Sequence, residues 1–111
     1  MKNITKKFGD VVANNNINFN VKGGEIHALL GENGAGKSTL MNMLSGIYIP
    51  DGGSIFIHGR EARFKSPTDA IKSGVGMIYQ HFKLIESMTA IQNILLGNKR
   101  KIFLNYDQEL K

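Results

Sequence analysis

The 111 residues carry 14 Lys plus Arg against 9 Asp plus Glu, a net charge of +5, with 41% apolar side chains and no cysteine. The missing cysteines exclude disulfides and thiolate metal sites and fit a reducing compartment, and no apolar run approaches the roughly 20 residues that span a bilayer. The basic residues are scattered apart from Lys6-Lys7 and Lys99-Arg100-Lys101, neither of which interleaves aromatics, so a nucleic-acid surface is not indicated.

The basic start, Met1 to Lys7, leads into no apolar h-region, which argues against a secretory signal and makes a cytosolic location the default expectation. Ile4 to Phe8 predicts a short strand, followed by a turn at Phe8-Gly9-Asp10. Asn14-Asn15-Asn16 predicts a polar turn. Ile17, Phe19 and Val21 alternate with Asn18, Asn20 and Lys22, the period of a half-buried antiparallel strand. Lys22-Gly23-Gly24 then turns the chain into Glu25-Ile26-His27-Ala28-Leu29-Leu30, whose apolar end suits a central strand buried on both faces.

Gly31-Glu32-Asn33-Gly34-Ala35-Gly36-Lys37-Ser38-Thr39 matches G-x-x-x-x-G-K-[ST], the phosphate-binding loop. Gly31, Gly34 and Gly36 carry no Cβ, so the backbone can curl and aim successive N–H groups into one concavity. Those donors and the positive end of the next helix suit a polyphosphate, Lys37 reaches its β and γ phosphates, and the Ser38 hydroxyl is placed to ligate Mg²⁺. Context supports the motif. An apolar strand precedes it, and Leu40, Met43, Leu44 and Ile47 fall at i, i+3, i+4 and i+7 after it, with Gly46 at the helix end.

Pro50-Asp51-Gly52-Gly53 is a turn signal, Ser54 to His58 a strand ended by Gly59, and Ser66-Pro67-Thr68-Asp69 a helix start with Ser66 as cap. That helix ends near Ser73-Gly74. Val75 to Gln80 predicts a strand with Gln80 at its C-terminal edge, where open α/β sheets place ligands. Thr89 to Leu96 predicts a helix stopped at Gly97, and the tail from Asn98 to Lys111 ends in the start of another. No repeat or linker divides the chain, so one domain is expected.

With these residues in view, the whole chain resembles an ATP-binding cassette, the nucleotide-binding subunit of a membrane transporter. Gly24 to Met41, Leu44-Ser45-Gly46-Ile47-Tyr48 and Pro50-Asp51-Gly52-Gly53 carry the likeness. Tyr79-Gln80-His81-Phe82-Lys83-Leu84 and Asn93-Ile94-Leu95-Leu96-Gly97 are similar to the importers of simple sugars and nucleosides, with Gln92 where that group usually has Glu. The resemblance implies an α/β phosphate-loop nucleoside triphosphate hydrolase fold that is incomplete, with an antiparallel β portion. It implies that Gly31, Asn33, Gly34, Ala35, Gly36, Lys37, Ser38 and Thr39 bind ATP with Mg²⁺. Phe8 would stack on adenine, with Val12 and Ala13 lining the base. Gln80 would join the Mg²⁺ shell beside Ser38 and act with Lys37 in catalysis, while His81 and Phe82 face the membrane partner.

The family's Walker B Asp, catalytic Glu, L-S-G-G-Q signature and switch His have no match in these 111 residues. Leu44-Ser45-Gly46 continues as Ile47, polar Asn105 interrupts Ile102 to Asp107, and His27, His58 and His81 come too early. The chain thus resembles the first half of one cassette, residues 1–111 forming part of a nucleotide-binding domain. Implied partners are transmembrane permease subunits and a second cassette, placing the protein peripherally at the cytoplasmic membrane face. Two alternatives stand beside this: a soluble cassette ATPase acting on ribosomes or DNA, and a nucleotide-binding module without catalysis.

Overall fold

The computed structural model describes residues 1–79 and 84–96. The chain divides into two units, Met1–Ile78 and Tyr79–Lys111. In the first, a hairpin of β1 (Lys2–Phe8) and β2 (Val11–Ile17) precedes the helix α1 (Lys37–Leu44), the strands β3 (Gly52–Ile57) and β4 (Arg60–Ala62), and the helix α2 (Pro67–Lys72). The second holds α3 (Ala90–Leu95). The strands form one antiparallel sheet in the order β2-β1-β3-β4. The fold is therefore α/β with an antiparallel portion, as the sequence indicated.

The sheet departs from the sequence reading first in β2. Asn14-Asn15-Asn16 lies inside β2 rather than in a turn, and the strand ends at Ile17 instead of running on to Val21. Pairing with β1 decides this. Ile4 faces Ile17, Lys6 faces Asn14, and Phe8 faces Val11, with irregularities on either side of Lys6. From Ile4 to Lys6 is two steps, whereas Ile17 to Asn14 is three, so β2 carries an extra residue there; Asn16, at φ 53°, sits in that bulge. The alternating segment still adds one reciprocal backbone pair, since the Met1 amine donates to Phe19 O at 2.8 Å and Phe19 N to Met1 O at 3.1 Å.

Between β3 and β4 the turn residues His58 and Gly59 both have positive φ, 50° and 78°, the geometry that matches strand twist in a two-residue hairpin. Where β1 meets β3, Gly53 has φ 86°, and a Cβ there would stand 2.4 Å from the carbonyls of Lys2 and Asn3. Asp51 fastens the preceding turn to β1. Its carboxylate accepts from Lys7 N at 2.7 Å and from the Lys6 ammonium at 3.0 Å, while its own amide donates to Thr5 O.

The predicted helical stripe seats α1 on the sheet. Leu40 and Met43 are buried with Ile4 of β1, Ile55 of β3, Phe64 and Ala70. Ile47 lies beyond the helix and is exposed. The chain leaves α1 through left-handed Gly46, with Ile47 N bonded to Asn42 O and Gly46 N to Met43 O, the paired bonds of a glycine C-cap. Helix α2 ends the same way at Gly74, and Ser66 and Pro67 open it as predicted.

Two predicted strands are absent. Glu25 to Leu30 and the described part of Val75 to Gln80 pair with nothing, and Ile26, Leu30 and Ile78 are 100%, 88% and 90% exposed. A parallel central strand exists only between neighbours, and among the described residues neither run has one. In the second unit α3 falls within the helix expected over Thr89 to Leu96, with Thr89 as its cap. The Thr89 hydroxyl accepts from Gln92 N at 3.3 Å, while the Gln92 side chain accepts from Thr89 N at 2.8 Å, a capping box in which Gln serves as well as Glu. Asn93 ties the preceding loop down, donating to the carbonyls of Ile85, Met88 and Thr89 and accepting from Ile85 N.

Candidate phosphate-binding site

The loop before α1 has the shape its glycines permit. Gly34 and Gly36 adopt φ 84° and 81°, and Ala35 N donates to Glu32 O at 3.2 Å. Lys37 begins the helix, and its ammonium bends back across the loop to the carbonyls of Gly31 and Glu32, at 2.5 and 2.6 Å. The helix's positive end, a lysine cation and Gly-rich backbone therefore meet in one place, an arrangement suited to an anion. Ser38 is exposed and Thr39 half-buried, so the Ser38 hydroxyl remains accessible beside the loop.

The hairpin touches this loop directly. An ideal Cβ on Gly36 would lie 2.3 Å from Ala13 O and 2.8 Å from Asn14 Nδ2, so β2 runs hard against the last glycine. Phe8, Val12 and Ala13 ride on that hairpin. Phe8 is 43% exposed at the end of β1, with Tyr48 packed edge-on at 5.2 Å and the Lys6 ammonium over its ring at 5.5 Å. Val12 is exposed and Ala13 half-buried. The structure thus brings Phe8, Val12 and Ala13 onto one hairpin that abuts the loop at Gly36.

Gln80, His81 and Phe82 lie outside the described residues, as do Gly97 and the tail from Asn98. Asn14 and Tyr48 lie against these residues, on Gly36 and Phe8 respectively, although the sequence reading gave neither a binding role. The polar run gave no periodic signal, because Asn14 is buried by a contact with a residue 22 positions away. Among the described residues, no cluster of three or more His, Asp or Glu could hold a metal ion, and no helix is long and apolar enough to cross a membrane.

A glycine loop that opens a helix against a β-hairpin, with a lysine folded over it, defines a phosphate-loop protein of the α/β class. The chain belongs to the ABC transporter family, whose pattern matches residues 14–111. It is 52% identical over 109 residues to the guanosine import ATP-binding protein of Bacillus subtilis, covering 98% of this chain and 21% of that protein. It is 50% identical over 107 residues to the nucleoside import ATP-binding protein of Lactococcus lactis, covering 96% of this chain and 21% of the relative. Against the xylose import ATP-binding protein of Thermoanaerobacter pseudethanolicus the identity is 54% over 102 residues, 89% of this chain and 20% of the relative. The chain spans about a fifth of the length of these relatives.

Proposed function

We propose that these residues form part of one nucleotide-binding domain of an ABC importer for sugars or nucleosides, and that they hold ATP through Gly31–Thr39. The observation that carries this reading is the Lys37 ammonium drawn over a loop of left-handed glycines at the start of α1. The guanosine, nucleoside and xylose importers among the relatives support the solute class. In this reading the loop amides of Asn33 to Thr39 and the Lys37 ammonium neutralise the phosphates, and Phe8 offers its exposed ring to adenine beside Val12 and Ala13.

The donor set fits a hard cation. The accessible Ser38 hydroxyl beside the phosphate cradle, with the amide oxygen of Gln80, would hold Mg²⁺ together with phosphate oxygens, in the oxygen-only environment that this ion prefers. Bound there, Mg²⁺ would supply charge neutralisation. Permease subunits and a second cassette are the partners this function requires, and they would place the protein at the cytoplasmic membrane face. Association with membranes rather than ribosomes in cell fractionation supports the importer over a soluble cassette; ribosomal association refutes it.

Calorimetric titration with ATP and Mg²⁺ tests the binding reading. Lys37→Ala is expected to weaken binding by about tenfold or more, as loss of a charge-assisted contact implies. A wild-type chain that binds no nucleotide overturns the proposal.

A further inference from the structure

We infer that Asn14 is a positioning residue for the phosphate loop, fixing the Gly36–Lys37 peptide from the adjoining strand; the inference rests on the nucleotide-binding reading above. Asn14 sits within β2 opposite Lys6 and is only 5% exposed. Its Nδ2 donates to Gly36 O at 3.3 Å, and the same carbonyl accepts Leu40 N at 2.9 Å, the first bond of α1. A carbonyl has two lone pairs and can take both. The peptide is planar and trans, so holding the Gly36 carbonyl towards Asn14 and Leu40 aims the Lys37 N–H the opposite way, off the helix's start. Asn14 thereby sets the direction of one amide that a phosphate would meet.

The other polar atom of this side chain is left unpaired. Asn14 Oδ1 is buried with no hydrogen-bond partner. An unpaired buried acceptor destabilises, and leucine, of similar size, would fill the same space without that penalty. A polar side chain kept at a cost to stability, in contact with the loop's last glycine, is the local inconsistency expected where function overrides packing.

Stability and binding should therefore move in opposite senses. The full chain, wild type and Asn14→Leu, is titrated with pyrophosphate and with ATP plus Mg²⁺, and its melting temperature measured. The expected result is that Asn14→Leu raises both dissociation constants by about fivefold, the factor for one lost hydrogen bond, with the melting temperature unchanged or higher. Dissociation constants equal to wild type overturn the inference. Wild type binding neither probe overturns the nucleotide reading itself and this inference with it, so the two failures are told apart by the wild-type titration. If Asn14→Leu does not fold, the Asn14 side-chain amide of the wild type is followed by ¹⁵N NMR. Saturation with pyrophosphate is expected to shift its resonances and slow its exchange, and resonances that stay in place overturn the inference.

Discussion

Gly36 satisfies two demands at once: a left-handed backbone, and room for the Ala13 carbonyl where any other residue would carry a Cβ. Gly36→Ala is expected to destabilise the first unit by at least about 2 kcal/mol, combining left-handed strain with displacement of β2, as chemical denaturation would measure. Asp51 gives a pH dependence. The Lys7 amide and the Lys6 ammonium hold its carboxyl below the ordinary aspartate value of 3.8. A depressed folded pKa stabilises above the unfolded value and loses that contribution as pH falls through the folded one, so stability should decline below about pH 4. Asp51→Asn should flatten that acid limb, measured as denaturation midpoint against pH. At this scale the sequence revealed what sterics alone demand, the loop glycines and Lys37. It concealed the contacts of Asn14 and Tyr48, whose partners are distant in the chain.

Among the elements, those closed by local chemistry were legible. Ser66-Pro67 begins α2, and Gly46 and Gly74 end helices by left-handed turns; the box that Thr89 and Gln92 form at the start of α3 went unread, only the helix itself being expected. Thr89→Ala should lower the local stability of α3 by about 1 kcal/mol, read from faster amide hydrogen exchange across Ala90–Leu95. Strands were legible only as far as their pairing was. The alternation of Ile17, Phe19 and Val21 is genuine, yet β2 lies earlier because bulges and the hairpin with β1 set its register. Glu25 to Leu30 has the composition of a buried strand but, among the described residues, no neighbour to make it one.

At the scale of the whole molecule, Ile26, Leu30 and Ile78 are the most exposed large apolar residues among those described. Unpaired apolar segments of this kind associate, so the 111-residue chain is expected to self-associate at micromolar concentration. A monodisperse, cooperatively melting monomer in analytical ultracentrifugation would contradict this. These residues also include no match to the signature or catalytic Glu, so phosphate release from ATP by the chain alone should stay at background. Mg²⁺-dependent turnover abolished by Lys37→Ala would refute that expectation.

The embrace between Lys37 and the carbonyls of Gly31 and Glu32 has a kinetic corollary. An arriving anion must compete with the protein's own backbone for that cation, and once the ammonium swings away, two carbonyl oxygens are left for water to solvate. Capture is then an exchange rather than a simple addition, and the encounter rate should fall below the diffusional value by the fraction of time the lysine spends tethered.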